Sequence, residues 1–256
     1  MSILKQILAN KTQEVRNQPE VDISNCPVAV DFGNIFTNNS QRSIKLIAEI
    51  KQKSPSGLIK TDNSAENIAQ EYIKSRVDGI SVLTDSKFFA GSFENLQCVR
   101  GKSAEIPIFC KDFIISRKQL DCAKFYGASG VLLIVKCLDL ASLIDLKNYA
   151  KSLQMQALIE VSTENELEIA LGVNPENIGV NCRNLDNLEI DRSIFTRILP
   201  KIPSGVRKIA LSGVQNCEDL KLVNGYDAVL IGTALSSLKL DEISRKIGEF
   251  DTFLCS

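Results

Sequence analysis

Two opposite charges at the end of one short run are the first sign of chemistry in this chain. In Lys45 to Gly57, KLIAEIKQKSPSG, the first six residues have strand character and the Lys-Ser-Pro-Ser-Gly that follows is a polar turn. Side chains alternate across a strand, so Ile47, Glu49 and Lys51 share one face and Leu46, Ala48 and Ile50 the other. A carboxylate and an ammonium therefore point the same way as an isoleucine, although a buried unpaired charge is costly and tends to neutralise. Held together, such groups can give and take protons at a substrate. Taken alone, the pair reads equally as a local ion pair on a solvated strand end.

The ends of other β-rich runs decide between these readings. IPIFCK closes on Lys111-Asp112, QALIEV on Glu160-Val161, and NIGVN on Asn181-Cys182-Arg183. Ser212-Gly213 and Gly232-Thr233 close the last two runs, and a small hydroxyl beside glycine lets backbone N–H groups meet an anion. A short helix starting at Thr233 would aim its positive end at the same place. The expectation is an acid–base centre of glutamates and lysines with a phosphate pocket beside it.

These residues need an architecture that brings every run's end to one place. Eight β-rich runs recur, at 45–50, 79–84, 106–111, 130–135, 156–161, 177–181, 208–212 and 228–232, separated by helix-patterned segments such as AENIAQEYIKSRV and LASLIDLKNYAKSL. Apolar strands alternating with amphipathic helices imply a parallel sheet covered on its outer face. Eight such units predict an α/β fold, a (β/α)8 barrel, in which function belongs to the C-terminal strand ends and alternate strands share interior layers. A doubly wound sheet would also alternate, but it usually carries a glycine-rich first turn, and neither GxGxxG nor GxxxxGK[ST] occurs. Residues 3 to 17 read as an amphipathic helix ended by Pro19. The following loop carries an apolar patch, Phe32, Ile35 and Phe36, that something beneath must receive. The expectation is one domain over 1–256, with 1–44 a helical extension over the C-terminal face of the barrel.

Bulk composition narrows the function. Thirty basic and 31 acidic residues leave a net charge of -1, which suggests neither nucleic acid nor a membrane surface as partner, so a phosphate site must be local. The absence of histidine excludes Ser-His-Asp hydrolysis and His-ligated zinc. The opening MSILKQILANK, interrupted by Lys5 and Lys11, is read as neither signal peptide nor span. Eight cysteines without a CxxC are read as buried thiols in a reducing cytoplasm.

IAEIKQKSPSG, ISVLTDSKFFAGSFENL, IFCKDFI, GASGVLLIV, ALIEVSTENELEIAL, IGVNCRNL and AVLIGTAL, in this order, resemble the indole-3-glycerol phosphate synthase family of tryptophan biosynthesis. The resemblance implies closure of the pyrrole ring of 1-(2-carboxyphenylamino)-1-deoxyribulose 5-phosphate with loss of carbon dioxide and water. It implies no metal or organic cofactor, a small phosphorylated substrate, and room for transient association with other tryptophan-pathway enzymes. Carried over by motif, Lys111 is the general acid and Lys51 faces the substrate carboxylate and assists proton transfer. Glu49 and Glu160 share base and cation-stabilising work, with the division between them open, and Asn181 positions the hydroxyl side. Ser54, Ser56, Phe89, Phe113 and Arg183 line the site. Ser212, Gly213, Gly232 and Thr233 hold the phosphate, with Lys51 or Lys53 adding charge.

One position departs from the family pattern. A glutamate usually precedes Ser-Gly on the seventh run, and here Leu211 stands there, expected on the inward face with Ile209. A barrel that binds the ligand without turning it over would be consistent with Leu211. A phosphoribosylanthranilate isomerase-like barrel would need a Cys and Asp pair where this chain has Glu49 and Lys51.

Overall fold

The computed structural model describes residues 2–24, 26, 30–38, 40–54 and 63–255. Its eight strands are β1 (Lys45–Ile50), β2 (Gly79–Leu83), β3 (Ile108–Lys111), β4 (Gly130–Ile134), β5 (Gln156–Val161), β6 (Asn177–Asn181), β7 (Arg207–Leu211) and β8 (Ala228–Ile231). Each pairs in parallel with the next, and β1 pairs with β8, which closes the barrel. Strand ends differ from the sequence expectation for identifiable reasons. Pro107 has no N–H for the ladder, so β3 starts at Ile108. Ser212 adopts a left-handed backbone (φ 65°), which stops β7 at Leu211.

The alternation read from β1 holds. Leu46, Ala48 and Ile50 pack outward into the core shared with the helices, whereas Ile47 joins Phe109, Leu132, Leu158, Ile209, Leu211 and Leu230 in the barrel interior. Parallel strands covered on both faces are apolar on both, which is why β1 is buried along its whole length. Side-chain caps fix where helices begin: Ser2 accepts from the Lys5 N–H, Ser64 from Asn67, and Thr163 from Glu166.

The extension serves both ends of the barrel, not the mouth alone. Helix α1 (Ile3–Asn17) lies over the C-terminal mouth, where Ile7 lines the central cleft and Lys11 reaches Asp85 and Asp112 beyond β2 and β3. The apolar patch goes to the opposite end, in and beside the short helix α2 (Asn34–Thr37) that the sequence did not reveal. Phe32 and Ile35 are buried against Gly130 and Gly79, the first residues of β4 and β2. A Cβ on Gly79 would come within 2.8 Å of Ile35 Cδ1, so any larger residue there would have to push the plug aside. The Arg207 guanidinium stacks 4.5 Å from the Phe36 ring centroid.

The cysteine expectation needs correction. All eight thiols are free, but only Cys110, Cys122 and Cys182 are buried, while Cys98 and Cys255 are exposed. Cys98 lies in the helix Phe93–Lys102 but is not among that helix's buried residues, Leu96 and Val99; apolar neighbours in sequence did not imply an inward helical face.

Candidate active site

The mouth of the barrel holds a cleft of about 1000 Å³, including its open entrance, and the charged strand ends converge on it. Glu49 from β1, Lys111 from β3, Glu160 from β5 and Asn181 from β6 all line it, with Lys51 just past β1. Ser54, Phe89, Phe113, Arg183, Ser212, Gly213, Gly232 and Thr233 line it too. Ser56 falls outside the described residues.

Within the cleft the charges form two pairs. On one side the Lys51 ammonium lies 3.2 Å from Glu49 Oε1 and donates to the Thr233 hydroxyl at 3.0 Å. This single cation thus spans the β1 carboxylate and the turn expected to hold phosphate. Glu49 is pinned through its backbone, since the Tyr72 and Ser236 hydroxyls both donate to its carbonyl, at 3.0 and 2.9 Å. On the other side Lys111 lies 3.9 Å from Glu160 Oε2, and Asn181 Nδ2 donates to Glu160 Oε1 at 2.9 Å. Glu160 Oε2 is buried and makes no hydrogen bond to a described residue. Burial pushes the Glu160 carboxyl above the usual glutamate value, and the Lys111 charge and Asn181 hydrogen bond offset this only in part. A carboxyl group so perturbed, beside a lysine in a cleft, is suited to proton transfer.

Close approach of backbone explains the glycines. A Cβ on Gly232, just past β8, would lie 2.3 Å from Glu49 Oε1 and 3.1 Å from the Lys51 ammonium, so glycine there leaves the pair in place where any side chain would displace it. Gly213 has φ 79°, and a Cβ there would collide with Cys182 Sγ at 2.4 Å, so that thiol is packed directly against the turn. Lys53 departs from expectation: its ammonium reaches the Lys87 carbonyl at 3.4 Å and does not line the cleft. Leu211 faces inward as expected, fully buried, opposite Asn181 in register and against Gly179.

Sequence reasoning passed over Lys11, Asp85 and Asp112. The signal was present: Lys11 lies at helical spacing from Leu4 and Ile7 on the buried stripe of α1, and both aspartates follow strand ends. Among the described residues, no group of three or more Cys, Asp or Glu side chains is placed to hold a metal ion.

The sequence matches the family model described as Indole-3-glycerol phosphate synthase over residues 4–248. The chain belongs to this family. An indole-3-glycerol phosphate synthase of Listeria monocytogenes is 38% identical over 248 residues, covering 96% of this chain and 98% of that one. The Sulfurisphaera tokodaii synthase is 45% identical over 196 residues, covering 74% of this chain and 77% of its own length. Among solved structures, a chain of the tryptophan synthase complex of Pyrococcus furiosus superposes with a TM-score of 0.61 at 15% identity, covering 82% of this chain and 98% of that one. That likeness concerns the barrel fold. The cleft lies at the C-terminal strand ends, where function in this barrel architecture belongs.

Proposed function

We propose that this cleft closes the indole ring of 1-(2-carboxyphenylamino)-1-deoxyribulose 5-phosphate, releasing carbon dioxide and water, and that its two charged pairs divide the work. The observation that carries the reading is the meeting of Lys111, Glu160 and Asn181 on one side of the cleft with Glu49 and Lys51 on the other. Lys111 protonates the ketone oxygen as the ring carbon bearing the carboxylate attacks the carbonyl carbon. Lys51 faces the carboxylate until it leaves as carbon dioxide, and the electrons of the broken bond restore the aromatic ring. The new hydroxyl, positioned by Asn181, then takes a second proton and departs as water. A glutamate removes the proton that completes the pyrrole. Glu160, with a free buried oxygen and a raised pKa, is suited to that exchange; Glu49, beside Lys51, is suited to stabilise the developing cation.

Phe89 and Phe113, with ring centroids 6.2 Å apart, together with Ser54 and Arg183, form the wall for the aromatic end. Ser56 is assigned to the same wall from its motif. Ser212, Gly213, Gly232 and Thr233 hold the phosphate, with Lys51 adding charge through its contact to Thr233. No helix among the described residues is long and apolar enough to cross a membrane. We read residues 1–256 as one catalytic unit of the cytoplasm, with 1–44 its extension, open to transient association with other tryptophan-pathway enzymes.

Leu211 supports a second reading, a barrel that binds the phosphorylated ligand without turnover, because an inward position that usually carries charge here carries bulk. One assay separates the readings. The chain contains no tryptophan and four tyrosines, so indole emission from product stands clear of the protein. Emission growing with release of one carbon dioxide per product supports synthesis. Tight binding without emission supports the binder, and isomerisation of phosphoribosylanthranilate would support the isomerase-like barrel.

A further inference from the structure

Lys11 is 1% exposed, yet it carries a charge into the joint between α1 and the barrel. Its ammonium lies 2.9 Å from Asp85 Oδ2, 2.8 Å from Asp112 Oδ1 and 3.0 Å from Glu14 Oε2. Each aspartate also organises a loop of the site. Asp85 accepts the Phe88 N–H at 2.7 Å and so starts the helix Ser86–Phe89, which ends in the cleft residue Phe89. Asp112 directly follows Lys111, accepts the Phe113 N–H at 2.7 Å and accepts the Thr84 hydroxyl at 2.8 Å. One ammonium therefore ties together the loop that carries Phe89 and the loop that begins directly after Lys111 and carries Phe113.

We propose that Lys11 is a positioning residue of the active site: by clamping Asp85 and Asp112 it fixes the β2 and β3 loops, and so makes the seating of α1 a condition for Lys111 to work. The inference rests on Lys111 acting as the acid, as argued above. The physical ground is the environment of the two carboxylates. Both are almost fully buried, and with no cation between them the two like charges would repel each other. Burial by itself disfavours the ammonium, but the charges of Asp112 and Asp85 outweigh it and hold the Lys11 pKa above that of an ordinary lysine. Glu14 sits on the more exposed rim of the cluster, one turn along α1, and supports no loop of the cleft. The clamp thus works on Asp85 and Asp112.

The test uses the full chain with Lys11→Met, Lys11→Arg and Glu14→Gln. Amide exchange at Phe88 and Phe113 reads loop position without any turnover, and indole emission reads kcat and KM. Lys11→Met should speed exchange at those two amides at least tenfold while leaving β5 and β6 protected, and should lower kcat at least tenfold with a smaller change in KM. Lys11→Arg should restore most of kcat, and Glu14→Gln should stay within twofold of the native chain. Should Lys11→Met not fold, Lys11→Met with Asp85→Asn removes one facing carboxylate, keeps a capping side chain, and carries the same measurements. Unchanged exchange at Phe88 and Phe113, or a lowered melting temperature with unchanged kcat, would overturn the proposal. Should the native chain form no indole, the functional reading falls, and exchange at the two amides still decides the role of Lys11.

Discussion

The Lys111 ammonium faces Glu160 Oε2 at 3.9 Å on one side of the barrel mouth, while Asn181 Nδ2 donates to the other oxygen of that carboxylate at 2.9 Å. The contact is too long for a strong hydrogen bond and short enough for the charges to feel each other, which leaves both groups available to a substrate bound beside them in the cleft.

Glu160 is expected to trade stability for chemistry. Its folded-state pKa is raised above 4.5, chiefly by burial. As pH rises from 4.5 the unfolded chain releases this proton before the folded chain does, so the folded state loses stability until its own pKa is passed. Glu160→Gln should therefore be more stable than the native chain at pH 7, lose that advantage as the pH falls to the ordinary glutamate value, and sharply reduce turnover. Thermal unfolding at the two pH values checks it; no gain at pH 7 would show that Lys111 already compensates the buried charge.

Gly232→Ala puts a methyl group 2.3 Å from Glu49 Oε1. Glu49 is fixed through its backbone carbonyl by Tyr72 and Ser236, so its side chain must move, and Lys51 with it. A shift of about 1 Å at reacting groups costs on the order of 100-fold, so kcat/KM should fall by that amount with the barrel still folded. A variant within twofold of the native rate would mean that the Glu49–Lys51 geometry is not critical.

Leu211→Glu should restore an inward carboxylate to the mouth. Because position 211 is fully buried against Gly179, the change should lower stability by about 2 kcal/mol. Turnover should nevertheless rise, measured by indole emission at saturating substrate. An unchanged kcat would show that Glu49 and Glu160 already supply the carboxylate chemistry.

The barrel was legible because its signals are local. The alternation in β1 and the repetition of apolar runs each depend on a few neighbouring residues, and the observed inward set, Ile47, Glu49 and Lys51, follows from the strand period. Convergence of Lys111 and Glu160 followed once closure of the sheet was assumed. What stayed hidden depends on partners distant in sequence. Lys11 looked like a polar interruption of an amphipathic helix, and only its meeting with residues 85 and 112 makes it a buried clamp. The destination of Phe32 and Ile35 was hidden for the same reason, since a loop's apolar patch does not say which end of a barrel it fills. Lys53 and the exposed cysteines show that a residue's type near a site or core does not fix its direction.

The central claim, that Lys111 is the acid of ring closure, is tested most directly by the rate of indole formation in Lys111→Ala. Removing a positioned general acid costs on the order of 100- to 10,000-fold, and the Lys111 side chain lines the cleft rather than the packed core, so circular dichroism and the melting temperature should stay near native while indole emission all but disappears. A folded Lys111→Ala chain that forms indole at close to the native rate would contradict the account.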